Sequence, residues 1–344
     1  MTRPLRIDVE GGWYHVTARG IERRAIFKEA RDYEHFLELL DEMTSRYGVE
    51  VHAYALMVNH YHLLIRTPRA NASAAIQWLN VSYSVWFNKK RGRVGHVFQG
   101  RFTSILVDGE GSWALNSSVY IHLNPVRTMA YGLGKADNRA EGLGLVKPDR
   151  KELVKRLKGL RDYRWSSFSG YAGYAKIPEW LETGELLKRA GGVSAYRKYI
   201  QLHVTRGIEP EGMEDIKGLW MLGAREFQDR AKRLVGRVTK EQPSRKWLKR
   251  YVEIGSIIKL VEKKRGVEWA NFSQKYGDLG RDLVLYLARK RSGLTLRQIG
   301  DELGGMDYKA VGKAVQRFEL SLSDDAARRR LAEECMNELS IVET

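Results

Sequence analysis

Between Trp13 and Val126 the pattern of apolar residues switches repeatedly between a period of two and a period near 3.6, and the order of those switches restricts the fold sharply. Trp13 to Thr17 reads as a strand. Phe36, Leu39, Leu40 and Met43 then recur at helical spacing behind Asp32, a residue able to cap a helix start. Val49 to Met57 and His60 to Arg66 read as two strands in quick succession, with Val58-Asn59 as the turn or bulge between them. Ile76, Leu79, Tyr83 and Trp86 mark a second helix from about Ser73 to Lys89. Arg101 to Val107 reads as a strand, Asp108-Gly109-Glu110-Gly111 breaks it, and Ser112 opens a third helix. The order strand, helix, strand, strand, helix, strand, helix predicts an α+β layer on a mostly antiparallel sheet.

The chain is strongly basic. Its 59 Lys+Arg against 42 Asp+Glu leave a formal charge of +17, which favours a polyanionic partner because cations that meet phosphates release condensed counterions. One basic group comprises Lys89, Lys90, Arg91, Arg93 and Arg101; a second runs from Arg225 through Arg230, Lys232, Arg233, Arg237, Lys240, Arg245, Lys246 and Lys249 to Arg250. Trp86, Phe87, Phe98, Phe102 and Trp247 lie among these charges, as base-stacking residues or as core. The lone Cys335 allows neither an intrachain disulfide nor a thiolate metal cage. With no apolar leader behind Met1 and no apolar run long enough to span a bilayer, a cytoplasmic, nucleoid-associated protein with no membrane partner is expected.

The 344 residues suffice for two or three domains. Gly132, Gly134, Gly142 and Gly144 form a glycine-rich connection, and Asp162 to Tyr171 an aromatic segment suited to core packing. Helix-like stretches without a chemical motif follow from Trp180 to Leu260. Thr295-Leu296-Arg297-Gln298 then fits a capping box, Gly304-Gly305 a turn, and Asp307 the cap of a helix with Val311, Ala314, Val315 and Phe318 inward. This is a helix-turn-helix pattern in which Tyr308, Lys309, Lys313 and Gln316 fall where a recognition helix would face DNA; a plain helical hairpin is the alternative. The expected division is 1–175, a helical connection 176–274, a DNA-binding unit 275–322 and a tail 323–344.

Two constellations carry chemistry. On a strand, His60 and His62 project to the same face, so both imidazoles can address one ion while Tyr61 turns into the opposite layer; a hydrogen-bonded surface or core pair is the ordinary alternative. On the third helix Leu115, Val119, His122, Leu123 and Val126 share one stripe, whereas Trp113, Tyr120 and Asn124 share another. Tyr120 and Asn124, four apart, can bring a hydroxyl and an amide oxygen into one small volume. Pro125 biases Asn124 away from α geometry. Phosphate-binding loops, dinucleotide fingerprints, His-Glu-x-x-His and Gly-x-Ser-x-Gly are missing from the sequence.

Several segments, in order, resemble the REP-associated tyrosine transposases, a group of single-tyrosine HUH enzymes. They are Tyr14-His15-Val16-Thr17 with Arg19-Gly20, Asn59-His60-Tyr61-His62-Leu63-Leu64, Gly95-His96-Val97-Phe98-Gln99-Gly100-Arg101-Phe102, Tyr120-Ile121-His122-Leu123-Asn124-Pro125-Val126-Arg127, and Tyr163-Arg164-Trp165-Ser166-Ser167. The resemblance covers about the first half of the chain. It implies a ferredoxin-like antiparallel sheet with helices on one face, acting on single-stranded or hairpin DNA. It further implies that Tyr120 is the nucleophile, and that His60, His62 and Asn124 hold magnesium or manganese. Val58 stands where proline is usual, and Thr128 to Tyr131 depart from the usual sequence after Asn-Pro-Val-Arg. Separately, Gly280 to Leu320 resembles the DNA-binding domain of the replication initiator DnaA, with Tyr308-Lys309-Ala310 in place of that family's His-Thr-Thr.

A phenol ionises near pH 10 and attacks poorly at neutral pH, so a divalent ion polarising the scissile phosphate is the expected aid. By the family's precedent the product is a 5′-phosphotyrosine with a free 3′-OH, reversible without a nucleotide cofactor. Arg19, Arg101 and Arg127 are expected to hold phosphates beside the site, and Tyr308, Lys309 and Lys313 to contact duplex DNA. The rival readings are a non-catalytic DNA-binding regulator using the C-terminal helix-turn-helix, and a phosphoesterase using water.

Overall fold

A computed structural model describes residues 7–133, 141, 146–206, 210, 213, 219–235, 252–292, 294 and 296–341. The chain divides into two compact units, Arg6–Arg237 and Val238–Thr344, so the division falls inside the stretch 176–274.

In the first unit the described strands are β1 (Gly12–Arg19), β2 (Glu50–Met57), β3 (His60–Thr67), β4 (Thr103–Val107) and the short β5 (Met221–Leu222), in the order β2-β3-β1-β4-β5. Neighbours are antiparallel except β4 and β5, which run parallel. Its longer described helices are α1 (Ala30–Tyr47), α2 (Ala72–Lys90), α3 (Trp113–Leu123), α4 (Arg150–Asp162), α5 (Gly184–Ala190), α6 (Val193–Arg206) and α7 (Arg225–Val235), with one helical turn at Phe168–Tyr171. The α+β reading holds, but helices cover both faces of the sheet rather than one. On the first face Tyr61 meets Phe36 of α1, ring centroids 4.9 Å apart, and its hydroxyl donates to Asn80 Oδ1 of α2. On the second face Trp13, Ala53, Ala55 and Leu64 join Val119 and Ile121 of α3, Leu160 of α4 and Ile200 of α6 in one buried cluster. The reason is visible in the strands: β2 and β3 are apolar and buried along nearly their whole length, and two apolar faces require two covering layers.

Asp32 is not the cap of α1. Glu29 holds that position, and Asp32, at the third helical residue, accepts from the amides of Lys28 and Glu29 in a reciprocal capping box. The Asp32 carboxylate is buried and paired with Lys90 (3.2 Å) and Arg91 (2.5 Å), so two cations of the first basic group bind this carboxylate within the unit. Phe87, Phe98 and Phe102 are buried core residues, not stacking platforms, and Trp86 stacks on His35. Arg237 to Arg250 of the second basic group, with Trp247, lie outside the described residues, as do Gly134, Gly142 and Gly144. The aromatic segment packs as core against the outer edge of β2: Leu56 N donates to Trp165 O, Tyr163 Oη to Leu56 O, and the Trp165 ring stacks on Tyr33.

The described part of the second unit is helical: α8 (Ile254–Arg265), α9 (Leu279–Arg291), α10 (Leu296–Glu302), α11 (Tyr308–Asp324) and α12 (Ala326–Ile341). Ile257, Leu283, Leu287, Ile299 and Phe318 belong to its core, and Cys335 is buried there, its thiol pushed up by burial. Val311, Ala314, Val315 and Phe318 point inward as predicted, and Asp307 caps α11 by accepting from Lys309 N (2.9 Å). Thr295, the expected cap of α10, lies outside the described residues. Gly304 and Gly305 form the turn between α10 and α11 with φ of +94° and +79°, a region that suits glycine.

Candidate active site

The alternation of β1 puts Trp13, His15, Thr17 and Arg19 on one face of the sheet, where antiparallel register sets Thr17 directly opposite His62. His60 and His62 share that face. Their ring centroids lie 5.1 Å apart, while Tyr61 between them is buried in the opposite layer. Helix α3 crosses the same face and brings the half-buried Tyr120 to the pair, with ring centroids 6.2 Å from His62 and 5.7 Å from His15. Tyr120 also packs against the small cluster of Ile105, Met213 and Leu222.

The predicted break at Asn124-Pro125 takes a different form. Asn124 stays in α geometry (φ −54°, ψ −40°), and the chain tightens into a 3₁₀ turn, Asn124–Val126. Asn124 Nδ2 donates back to Tyr120 O (2.9 Å). The turn carries Arg127 back under the helix, where its guanidinium lies 4.7 Å from the centre of the Tyr120 ring.

Each imidazole has its own partner. His60 Nδ1 lies 2.7 Å from Asn59 Oδ1, and Asn59 Nδ2 donates to Arg23 O (3.0 Å). This clamp ties His60 to a loop in which Glu22 and Arg23 both have positive φ, an arrangement that costs energy for residues with a side chain. His62 Nδ1 meets His15 Nε2 at 2.9 Å and Thr17 Oγ1 at 3.2 Å. His15 and Thr17 belong to the motif at Tyr14, but the sequence gives them no role; the signal is their period-two placement opposite the His-x-His strand.

The site is neutral in its imidazoles and positive around them. Burial pushes His15 down to about 4; burial and then Arg19 do the same to His60. His62 is held well below the usual range by burial first, then by His15, His60, Arg19 and Arg127. The structure therefore brings Tyr120 to His62 and His15, with Arg19 and Arg127 close enough to bear on His62, while the Asn124 side chain is seen only in its bond back to the helix. Arg101 is exposed just beyond Gln99, whose amide donates to Arg19 O (2.7 Å) at the end of β1. Tyr308, Lys309 and Lys313 belong to the second unit.

Among the described residues no three His, Cys, Asp or Glu side chains form a metal-binding group. The chemistry is that of two neutral imidazoles, each engaged at Nδ1 and so left with Nε2, beside an amide whose nitrogen is turned toward the helix. Two nitrogens and one amide oxygen suit an ion that completes its shell with phosphate oxygens and water.

Residues 8–123 match the family of IS200-like transposases. That segment holds β1 to β4 and α3 as far as Leu123, and thus His60, His62 and Tyr120 but not Asn124. A solved structure, described as a REP-associated tyrosine transposase bound to a REP hairpin, aligns with 53% of this chain and 92% of its own, at 16% identity and a TM-score of 0.37. No curated protein matches the chain. Among the described residues no helix is long and apolar enough to cross a membrane.

Proposed function

We propose that the first unit is a metal-dependent single-strand DNA endonuclease and strand transferase acting on hairpin DNA, with Tyr120 as nucleophile. The observation that carries this reading is the meeting of Tyr120 with His62 of the His-x-His strand across the α3–β3 contact, rings 6.2 Å apart, with the Arg127 guanidinium over the Tyr120 ring. The match of residues 8–123 to IS200-like transposases supports it independently.

His60, His62 and Asn124 would hold Mg²⁺ or Mn²⁺. Such an ion, when bound, supplies Lewis-acid polarisation of a nonbridging phosphate oxygen. Arg19 and Arg127, whose charges already bear on His62, draw the phosphate into the site, and Arg101 extends that surface. Tyr120, fixed by α3 and by packing against Ile105, presents its hydroxyl for in-line attack. The Oη–P bond forms as the P–O3′ bond breaks; the phenolic proton passes to solvent and the departing 3′ oxygen gains one. The products are a 5′-phosphotyrosine and a 3′-OH. Attack by the 3′-OH of another DNA end reverses the step, so rejoining needs no nucleotide cofactor.

The second unit is assigned duplex binding through α10, the glycine turn and α11. Its support is the capped start of α11, which leaves Lys313 exposed and Tyr308 and Lys309 partly exposed opposite the buried Val311 and Val315.

Covalent trapping tests the assignment. The protein is incubated with labelled hairpin DNA and Mn²⁺ or Mg²⁺, and a denaturant-stable adduct is sought. Tyr120→Phe abolishes it on this reading. An adduct that survives the substitution rejects Tyr120, cleavage without an adduct favours water as nucleophile, and binding without cleavage under either metal favours a DNA-binding regulator.

A further inference from the structure

We propose that His15 is a positioning residue for the metal site: its Nε2 accepts the proton on His62 Nδ1 and so leaves His62 Nε2 as the nitrogen that ligates. The inference rests on the metal-site reading above and adds a residue to it. A neutral imidazole carries one proton on either nitrogen, and only the other can bind an ion. For His60 the choice is made by Asn59. Its amide nitrogen is spent on Arg23 O, so its oxygen, a pure acceptor, faces His60 Nδ1 at 2.7 Å and requires the proton there. His62 has no pure acceptor. Its Nδ1 faces a second imidazole at 2.9 Å and a hydroxyl at 3.2 Å, both of which can donate or accept.

The closer partner is also held in place. His15 is only 2% exposed, its ring lies 5.2 Å from His62 in a stacked arrangement, and it stands edge-on to Tyr120. His15 Nδ1 is buried and meets no hydrogen-bond partner among the described residues. An orphaned buried nitrogen beside a reactive tyrosine calls for a reason. With Nε2 accepting, the His15 proton sits on that partnerless Nδ1, a cost offset by the bare Nε2 that the arrangement leaves on His62 for a cation. Were His15 Nε2 to donate instead, His62 would carry its proton on Nε2, and that N–H would repel a cation. Cation binding and the His15 acceptor role are therefore one coupled arrangement.

The test uses the full-length protein without DNA. Mn²⁺ affinity is measured by titration calorimetry for the wild type, His15→Ala, His15→Gln and His62→Ala. Long-range ¹H–¹⁵N spectra of the Mg²⁺-loaded wild type report which nitrogen of His62 is protonated. The expected result is roughly a 10–100-fold loss of affinity in His15→Ala, as for other outer partners of ligating histidines, with most of it restored in His15→Gln, whose amide oxygen accepts. The spectra show the proton on Nδ1. A folded His15→Ala that binds Mn²⁺ like the wild type overturns the proposal, as does a proton on His62 Nε2. Where His15→Ala does not fold, the wild-type spectrum and the His15→Gln affinity decide. Failure of the wild type to bind Mn²⁺, or undiminished binding by His62→Ala, overturns the metal site itself and this assignment with it.

Discussion

Acid should unfold the first unit through His52 and His122, two histidines outside the pair proposed to hold the metal. His52 is 2% exposed, its ring tilted against Trp13 with centroids 4.1 Å apart, and burial, its largest influence, pushes its pKa down to about 3. His122 is fully buried in α3 between Ser167 Oγ (2.6 Å) and Tyr196 Oη (2.7 Å), and burial brings it to about 3 as well. In the unfolded chain both ionise near 6.5. Below that pH the unfolded state takes up protons that the folded state refuses, so stability is complete above about 6.5 and declines as pH falls toward the folded values. Each unit of pH costs about 1.4 kcal/mol per histidine, which at pH 5 amounts to about 2 kcal/mol each and about 4 kcal/mol together. A domain typically has about 5–15 kcal/mol to lose. His15, His60 and His62 act in the same direction. Urea unfolding followed by tryptophan fluorescence, with chelator present, measures this between pH 7.5 and pH 5. The slope should correspond to the uptake of two or more protons, and His122→Asn should reduce it by about one while lowering stability at pH 7.5. Stability at pH 5 within about 1 kcal/mol of that at pH 7.5 would refute the reasoning.

Two further substitutions probe the units separately. Gly300 of α10 has no room for a side chain, since an added Cβ would lie 2.0 Å from Met306 O; Gly300→Ala should destabilise the second unit by about 2 kcal/mol or more and weaken duplex binding, read by thermal melting and fluorescence anisotropy, while adduct formation on hairpin DNA persists. Asp32→Ala should cost the first unit about 3–5 kcal/mol by stranding Arg91 and Lys90, whereas a loss below about 1 kcal/mol in urea titration would mean that solvent replaces the carboxylate.

The His60–His62 pair is readable in the sequence because strand periodicity alone fixes two side chains on one face. Tyr120 and Asn124 are readable because helical periodicity fixes a second pair. That Tyr120 meets His62 depends on which face of the sheet α3 covers, and local patterning does not encode this. The same limit explains the layers: β2 and β3 look like strands from either side, and only their burial along both faces shows that two helical layers are needed. His15 escapes a functional reading because its partner is 47 residues away and is brought to it only by the register Thr17↔His62. The aromatic residues near Lys89 mislead for a similar reason. Phe87 serves the core through tertiary burial, and Lys90 and Arg91 find Asp32 far upstream. Asp32 itself satisfies the capping chemistry assigned to it, from the other end of the capping box.

Strand β5 joins the sheet far later in sequence than β4, which it flanks, and its Leu222 belongs to the cluster that supports Tyr120. During synthesis the sheet is therefore left with an open border at β4 until the chain has emerged well past Tyr120. A nascent fragment ending near residue 175 would carry every residue assigned to the proposed chemistry of the first unit while lacking this wall, so the DNA cutting proposed for it should arrive only once β5 has been translated.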